Sequence, residues 1–352
     1  MARPPLNTLI LDSSQAETAG RVLREGGLVV FPTETVYGLG ADARNAAACA
    51  AIFAAKGRPA DNPLIVHMVD RSHLALVAES VDSVSQLLFD HFSPGPLTLV
   101  FPRAPGIPDV VTAGLPSVAV RFPAHPVARA VIAAAGTPVA APSANRSGRP
   151  SPTDFDAAWD HMNGRVDAIL RGGPCQVGLE STVARVVGTR VELLREGAVT
   201  VEMIAAVLPP GGLVVPARTV AGAEGGISTA PSAPGPLPSP GVRHRHYQPD
   251  ARVLLATAEE VDAVIAALAG DAAERLLIGV LTVGDRVTIA GMPDGALEVV
   301  RVASLEEYAR ELYRCFRRFD ASGCSIIVAE LPEPAGIGSA IRDRLLRAAG
   351  IA

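Results

Sequence analysis

Four short polar segments lie among apolar stretches of this chain, and they constrain its fold more than any other feature. They read Pro-Thr-Glu-Thr-Val-Tyr-Gly at 32–38, Lys-Gly-Arg at 56–58, Ser-Ala-Asn at 143–145 and Leu-Glu-Ser-Thr at 179–182. Each lies at the end of an apolar run with the length of a strand or a helix. Proteins of the α/β class usually build their sites from strand ends and turns. The pattern therefore predicts an α/β fold whose sheet brings these distant segments together.

The length and composition of the chain indicate two globular domains without a broad nucleic-acid surface. The sequence has 352 residues, of which 49% are hydrophobic and 19% charged. Since a domain averages roughly 150 residues, this length predicts two of them. The net charge is −5, whereas a nucleic-acid-binding domain normally carries a basic stripe. A local basic patch remains compatible with this charge.

The cysteines and the hydropathy pattern predict a reduced, soluble, cytoplasmic protein. Cys49, Cys175, Cys315 and Cys324 form no Cys-x-x-Cys pair and have no histidine at metal-ligand spacing. They therefore indicate neither a zinc site nor a disulfide framework. The apolar run at 9–11 is too short for a signal peptide, and no stretch reaches the roughly 18 residues that span a bilayer.

Residues 1–208 are predicted to form an α/β domain with a mixed sheet. Strands are expected at 28–31, 64–68, 97–101, 118–122, 139–141, 166–170, 182–187 and 191–194. Residues 33–40 are expected in a turn, and 71–90 and 126–135 in helices. Asn45 can cap an alanine-rich helix that ends near residue 55. Lys56 and Arg58 would then emerge at the C-terminal end of that helix.

Residues 209–249 are predicted to be a linker, and residues 250–352 a second domain. Five prolines occur between 231 and 240, which is typical of a linker. Beyond it, strands at 252–256, 276–282, 297–302 and 325–330 alternate with helices at 258–269, 304–319 and 339–349. This alternation predicts a small Rossmann-like parallel sheet. A Gly-x-Gly-x-x-Gly turn is absent after its first strand, so dinucleotide binding is not supported.

Basic and small polar residues are the candidates for a site. Lys56 and Arg58 supply positive charge and a donor fork suited to phosphate oxygens, but they also fit an exposed basic helix end. Ser143 and Asn145 fit either a ligand contact or a polar turn. Arg121 interrupts an apolar strand, where an unpaired charge is costly. It is therefore predicted to meet a carboxylate, either of a ligand or of the protein.

These motifs and their order resemble those of the YrdC-type L-threonylcarbamoyladenylate synthases in their long, two-domain form. Residues 26–197 resemble the synthase domain and 239–352 the C-terminal domain. The resemblance implies a YrdC-like twisted mixed sheet and a nucleotidyltransferase that converts L-threonine, bicarbonate and ATP to threonylcarbamoyl-AMP and pyrophosphate. It also implies that a tRNA threonylcarbamoyl transferase complex uses the product for N6-threonylcarbamoyladenosine at position 37 of ANN-decoding tRNAs.

The resemblance implies a role for each residue that matches a family motif. The catalytic set is Lys56, Arg58, Ser143 and Asn145. The L-threonine contacts are Thr35, His67, Arg121, Ala141 and Ser181. The ATP contacts are Lys56, Arg58, Asn62, Ser117, Ser143, Ser151, Arg195 and Tyr247. Without the resemblance, His67 better fits a hydrogen-bonded strand histidine, and Arg195 equally fits a surface ion pair with Glu196 or another acidic residue.

The end of the linker, Ser-Pro-Gly-Val-Arg-His-Arg-His-Tyr-Gln-Pro at 239–249, resembles the interdomain signature of the family. Val242 and Arg243 replace a methionine and a lysine and keep their size and charge. The resemblance implies that Tyr247 reaches the nucleotide and that the linker is a lid that excludes water. A solvated basic tether is the other interpretation. No protein metal site is predicted, and Mg²⁺ is expected to arrive with the triphosphate.

Two other functions remain open on the sequence. The main alternative is a double-stranded RNA or ribosome-associated binding factor without synthase activity, and a weak contact with tRNA is compatible with either function. The second is carbamoyl transfer from carbamoyl phosphate, as in the YrdC-like domains of hydrogenase maturation proteins. The zinc-finger and acylphosphatase-like regions of those proteins have no counterpart in this sequence.

Overall fold

Within the residues that the structure describes, the chain forms two separate sheets, one of eleven strands and one of four. They are seen in a computed structural model that describes residues 6–215, 247–271, 277–285 and 295–351. The predicted α/β class with a large mixed sheet and a smaller parallel one is confirmed.

The larger sheet is formed within residues 9–215. Its strands are Leu9–Asp12 (β1), Val29–Phe31 (β2), Gly38–Asp42 (β3), Ile65–His67 (β4), Leu97–Pro102 (β5), Ser117–Arg121 (β6), Val139–Ala140 (β7), Ala168–Arg171 (β8), Thr182–Val187 (β9), Arg190–Arg195 (β10) and Leu213–Val215 (β11). Their order is β1-β8-β2-β3-β7-β4-β6-β5-β9-β10-β11. The helices are Ala16–Arg24 (α1), Ala46–Lys56 (α2), Ser83–Phe92 (α3), Asp109–Thr112 (α4), Pro126–Ala135 (α5), Phe155–Met162 (α6) and Val201–Val207 (α7).

Strand register brings polar side chains to one edge of the larger sheet. Strands β4 and β6 run parallel and place His67 opposite Arg121, and each of these residues is the last of its strand. The antiparallel strand β5 places Thr98 on the other side of Arg121. An isolated bridge joins Gly38 to Ser143. The polar segments at 32–38 and 143–145 therefore meet where β4 and β6 end.

Helix α2 begins and ends as its sequence predicts. The Asn45 side chain accepts from the backbone N–H groups of Ala47 and Ala48, both at 3.1 Å, which satisfies donors at the helix start. Gly57 ends the helix with φ +61°, a left-handed conformation that glycine adopts at little cost. Lys56 is the last helical residue, so its predicted position at the helix end is confirmed.

The second domain has three layers. Its described strands are Arg252–Ala256 (β12), Ile278–Val283 (β13), Leu297–Val302 (β14) and Ile326–Glu330 (β15), and its described helices are Val261–Asp271 (α8), Leu305–Ala321 (α9) and Ile337–Ala348 (α10). The strands run parallel in the order β12-β15-β13-β14. Alternate strand residues face opposite ways, so Val280 packs with α8 and Leu281 with α9 and α10. The predicted Rossmann-like parallel sheet is confirmed.

The apolar core of the second domain continues into the first. Val36 and Leu179 of the first domain belong to the same buried cluster as Tyr308, Leu312 and Tyr313 of α9. Both residues come from polar segments identified in the sequence. The domain interface therefore lies directly beside the place where those segments meet.

Three sequence predictions differ from the structure. Residues 71–90 do not form one helix, because Arg71–Leu76 is a 3₁₀-helix and Asp82 caps a separate helix α3 by accepting from Ser85 N–H at 2.8 Å. The turn predicted at 33–40 ends early, because β3 begins at Gly38 and pairs with β2. Strand β11 lies within the predicted linker and pairs with β10, while residues 216–246 of that linker lie outside the described residues.

The four cysteine thiols are buried and unpaired. Burial raises the pKa of Cys49 and Cys315 to about 12, so these thiols stay protonated near neutral pH. In the described ranges, no group of three or more His, Cys, Asp or Glu side chains could hold a metal ion. The helices of those same ranges include none with both the length and the apolar character needed to cross a membrane.

Candidate functional site

A cleft opens at the sheet edge where the polar segments meet. Its walls surround about 720 Å³ of empty space, part of it continuous with solvent. Eleven of the fourteen residues predicted from the sequence line this cleft: Thr35, Lys56, Arg58, His67, Arg121, Ala141, Ser143, Asn145, Ser181, Arg195 and Tyr247. Sequence segments that are far apart in the chain thus form one concave surface.

Lys56 is a buried cation held by backbone carbonyl groups. Its Nζ donates to the backbone oxygens of Ser143 and Asn145 and lies 3.4 Å from Asn145 Oδ1. Burial lowers the pKa of Lys56 well below its usual range, and the Arg58 cation lowers it further. The ammonium group is thus poorly solvated, and an anion entering the cleft would stabilise its charge.

Arg58 is fixed by the loop that follows it. Its Nε donates to the backbone oxygen of Asn62 at 3.1 Å, and its Nη2 donates to that of Pro63 at 2.8 Å. These two bonds set the plane of a guanidinium that borders the cleft. Burial lowers the pKa of Arg58, yet an arginine remains charged at neutral pH.

The segment at 143–145 is organised by the Asn145 side chain. Asn145 Oδ1 accepts from Ser143 Oγ at 2.6 Å. Its Nδ2 donates to the backbone oxygens of Arg146 at 3.0 Å and Arg149 at 2.8 Å. The polar-turn interpretation therefore describes Asn145 well, and the turn also brings the Ser143 hydroxyl to the cleft wall.

Arg121 meets a carboxylate of the protein at the floor of the cleft. Its Nη2 lies 2.7 Å from Glu34 Oε1, and both side chains are buried. Burial alone would raise the pKa of Glu34, but the charge of Arg121 and the hydrogen bonds from Arg121 and from backbone N–H groups together lower that pKa. The prediction that Arg121 meets a carboxylate is confirmed with Glu34 as the partner. A ligand carboxylate at the same guanidinium stays a prediction.

A chain of hydroxyl groups continues from Arg121. Arg121 Nη1 donates to Thr35 Oγ1 at 2.8 Å, and Thr35 Oγ1 lies 2.8 Å from Thr33 Oγ1. The Thr33 hydroxyl donates to the backbone oxygen of Val36 at 2.7 Å. A carbonyl oxygen only accepts, so the single hydroxyl proton of Thr33 is donated to Val36. The Thr35 hydroxyl must therefore be the donor in its bond with Thr33. The direction of each bond in this chain of hydroxyl groups is therefore set.

His67 is a buried, neutral histidine. Its Nδ1 lies 3.2 Å from the backbone oxygen of Ile65, and since that oxygen only accepts, Nδ1 carries the proton. Burial, helped by the Arg121 cation, lowers the pKa of His67 to about 3. The interpretation as a hydrogen-bonded strand histidine fits this geometry, and the ring also lines the cleft.

Arg195 is buried behind Ser181. Its Nε and Nη2 donate to the Ser181 backbone oxygen at 3.0 and 2.9 Å, and Nη2 lies 3.2 Å from Ser181 Oγ. The Ser181 hydroxyl is also 2.8 Å from Thr98 Oγ1. Both Arg195 and Glu196 are buried, so the interpretation of Arg195 as part of an exposed surface pair is wrong.

Glu180 links the cleft to the second domain. Its carboxylate accepts from Ser151 Oγ at 2.6 Å, from Tyr313 at 3.1 Å and from Arg344 Nε at 2.8 Å. Burial alone would raise the pKa of Glu180, but the cations of Arg344 and Arg195 lower it to about 2. Glu180 is therefore ionised at neutral pH.

Three of the predicted residues do not line the cleft. Asn62 contributes its backbone oxygen to Arg58, and Ser151 contributes its hydroxyl to Glu180. Ser117 begins β6 whereas Arg121 ends it, so about 13 Å of strand separates them. Direct contact of these three residues with ATP stays a prediction.

Sequence reasoning gave no role to several residues that shape the site. Glu34 and Glu180 lie inside the polar segments, and the cost of burying a charge, which identified Arg121, applies equally to them. Tyr313 and Arg344 carried no signal in the sequence. Arg344 belongs to an Arg-Asp-Arg run at 342–344, which is more typical of a solvated helix face than of a buried contact.

Two family models match adjoining parts of the chain. The Sua5/YciO/YrdC family, described as telomere recombination, matches residues 21–197. The C-terminal domain of threonylcarbamoyl-AMP synthase matches residues 199–350. The first match contains the cleft apart from Tyr247, and the second contains Tyr247 and the smaller sheet.

Several relatives match over almost the whole length of the chain. The threonylcarbamoyl-AMP synthase of Pyrococcus abyssi is 38% identical over 340 residues, which cover 94% of this chain and 93% of the relative. That of Bacillus subtilis is 39% identical, covering 97% and 95%. The crystal structure of P. abyssi Sua5 complexed with L-threonine superimposes with a TM-score of 0.86 at 36% identity and covers 98% of both chains.

Proposed function

We propose, from the premise that this chain belongs to the Sua5/YrdC family of threonylcarbamoyl-AMP synthases, that it converts L-threonine, bicarbonate and ATP to threonylcarbamoyl-AMP and pyrophosphate. One observation carries the proposal: Lys56, Arg58 and Arg121 converge on a single cleft. A cleft of this kind can hold an anionic nucleotide and an amino-acid carboxylate side by side.

The end of the cleft formed by Arg121, Thr35 and His67, here named the threonine end, is proposed to bind L-threonine. The Arg121 guanidinium suits the substrate carboxylate. Ala141 and Ser181 line the cleft near it and are proposed as further contacts. The related P. abyssi protein, with 36% identity, has been crystallised with L-threonine, which supports this assignment.

The end formed by Lys56 and Arg58, here named the phosphate end, is proposed to bind the triphosphate of ATP. Ser143, Asn145 and Arg195 border it and are proposed to contact the nucleotide. Mg²⁺ is proposed to arrive as part of the ATP complex, since this ion keeps much of its water and binds phosphate oxygens.

The proposed reaction needs alignment and charge neutralisation more than a protein nucleophile. The threonine amine attacks bicarbonate, an N–C bond forms and water leaves, giving a carbamate. A carbamate oxygen then attacks the α-phosphorus, and the bond from that phosphorus to the bridging oxygen breaks, so pyrophosphate leaves with the electron pair. Lys56 and Arg58 would neutralise the charge that develops on the phosphates.

Tyr247 is proposed to close the cleft during this reaction. The residue is buried and lines the cleft, so its ring already shields part of the site from solvent. Exclusion of water would protect the labile carbamate and adenylate. The rest of the proposed lid, residues 216–246, lies outside the described residues.

The product is proposed to pass to a tRNA threonylcarbamoyl transferase complex in the cytoplasm. A mixed anhydride of a carbamate and a phosphate is an activated acyl donor, so a nucleophile must consume it soon after release. The amine of an adenosine at position 37 of ANN-decoding tRNAs is the acceptor that this proposal assigns.

The test is a product assay with the full-length chain. We expect pyrophosphate release that requires L-threonine and bicarbonate together, and a product with the mass of threonylcarbamoyl-AMP. Omitting either substrate in carbonate-free buffer is the matched control. Salt-sensitive binding of double-stranded RNA with no threonine-dependent turnover of ATP would instead favour the RNA-binding alternative.

A further inference from the structure

Arg344 of the second domain is a fully buried cation that reaches into the first domain. Its Nε donates to Glu180 Oε2 at 2.8 Å, and its Nη2 donates to the backbone oxygen of Glu196 at 2.9 Å. The third arm, Nη1, donates to Asp343 Oδ2 at 2.7 Å beside it on α10. The three arms of the guanidinium thus have fixed partners, and two of these lie across the domain interface.

Two side chains of the second domain hold the ring of Tyr247. The Tyr247 and Tyr313 rings stack with centroids 5.5 Å apart at 28°, and Arg344 Cζ lies 5.5 Å from the Tyr247 ring centroid. Tyr247 has φ +67°, a conformation that non-glycine residues rarely adopt. The side chains around Tyr247 therefore impose its position. Tyr313 and Arg344, which contact its ring, are here named the Tyr247 seat.

The Tyr247 seat is joined to the cleft by direct contacts. Tyr313 and Arg344 both bond to Glu180, and Glu180 and Tyr247 both line the cleft. The backbone oxygen of the next residue, Ser181, accepts two hydrogen bonds from Arg195. A change at Arg344 would therefore reach the cleft through Glu180 and Tyr247.

We propose that Arg344 is a positioning residue, by which the second domain holds Tyr247 against the cleft and thereby sets the affinity for nucleotide. The identity of the nucleotide as ATP rests on the proposed function. A purely structural role, in which Arg344 only joins the two domains, would lower stability without acting through Tyr247.

A double-mutant cycle separates these two roles. We would compare Arg344→Met, Tyr247→Ala and the double variant in the full-length chain, measuring calorimetrically the dissociation constant of a non-hydrolysable ATP analogue. Each single change is expected to weaken binding about tenfold, and the double variant by about tenfold as well, because both remove the same contact. A loss near a hundredfold in the double variant would mean independent effects and would overturn the proposal.

Arg342→Met is the matched control on the same helix. Arg342 donates to the backbone oxygen of Pro332 in its own domain at 2.7 Å, so this variant should bind the analogue within about twofold of the wild type. If Arg344→Met fails to fold, Arg344→Lys takes its place in the cycle, because it keeps the positive charge but lacks the guanidinium that lies 5.5 Å from the Tyr247 ring centroid. Additive losses with Tyr247→Ala would again overturn the proposal.

The outcomes also distinguish this inference from the proposed function. A wild type that binds the analogue but yields no threonylcarbamoyl-AMP would refute the proposed function and leave the cycle to decide the role of Arg344. A wild type that makes the product but shows an additive cycle would refute only the role of Arg344. Absence of analogue binding by the wild type would overturn both.

Discussion

The two ends of the cleft compensate their positive charges in different ways. At the threonine end, Arg121 faces the Glu34 carboxylate at 2.7 Å. At the phosphate end, Lys56 and Arg58 donate to backbone carbonyl oxygens. A carboxylate cancels a full charge, whereas a carbonyl offers only a dipole.

Because of this difference, the threonine end would select a ligand by the geometry of its hydrogen bonds, whereas the phosphate end would attract one by its positive charge. The Glu34–Arg121 pair is neutral overall, so a ligand there gains from the fixed direction of the guanidinium and the Thr35 hydroxyl. The phosphate end keeps a positive field, because beyond the effect of burial the Arg58 cation lowers the pKa of Lys56 more than the Glu180 carboxylate raises it. A polyanion would relieve this repulsion.

The largest expected effect comes from breaking the pair at the threonine end. Glu34→Gln leaves Arg121 as an uncompensated buried cation, which should lower the free energy of unfolding by roughly 3 kcal/mol. Urea unfolding measures this loss. Added L-threonine should raise the unfolding midpoint more in the variant than in the wild type, because its carboxylate no longer competes with Glu34.

The matched control for that change is Glu17→Gln. Glu17 forms an exposed ion pair with Arg24 at 3.2 Å, and such pairs contribute on the order of 1 kcal/mol or less. Equal destabilisation in Glu34→Gln and Glu17→Gln would contradict the contrast drawn between the two ends.

At the phosphate end, Lys56→Ala should act on turnover. Loss of the cation that neutralises developing phosphate charge should lower the rate of pyrophosphate release about 100-fold, which corresponds to about 2.7 kcal/mol. Arg58→Ala should act in the same direction. The rate of threonine-dependent pyrophosphate release is the measurement, and Arg21→Ala, on the exposed face of α1, is the control. Turnover at the wild-type rate in both cleft variants would remove the phosphate role from this pair.

The remaining effect, which is absent at neutral pH, is a pH dependence that differs between His67 and Glu180. His67 has a pKa of about 3 in the folded protein against an ordinary 6.5, so the unfolded chain takes up its proton first on acidification. Its contribution to stability is complete above pH 6.5 and is lost towards pH 3, at up to about 1.4 kcal/mol per pH unit. Glu180, with a pKa of about 2 against 4.5, loses its contribution only below pH 4.5.

Unfolding free energies measured from pH 7 to pH 4 test this contrast. The stability difference between wild type and His67→Gln should change between pH 6.5 and 4.5, while that for Glu180→Gln should stay constant in this range and change below it. A constant difference for His67→Gln throughout would show that His67 does not titrate as its burial requires.

Short-range signals predicted the site better than they predicted element lengths. Asn45 and Gly57 define α2 from its own sequence, and so the placement of Lys56 at its end was predictable. The helix predicted at 71–90 was wrong, since capping by Asp82 starts a new helix where apolar periodicity alone shows no break. The burial of Arg195 was missed because its charge and the adjacent Glu196 resemble a surface strand end.

The sequence by itself determined which residues had to find partners. A guanidinium inside an apolar strand needs a partner for its charge, and the lysine that ends a capped alanine-rich helix must appear at the helix end, since both follow from costs that act locally. The tertiary structure decided which residues the partners are. Strand register and domain docking brought Glu34 to Arg121, and Glu180 to Arg344 across 164 residues, because contacts between distant segments depend on how sheets and domains pack rather than on local preference.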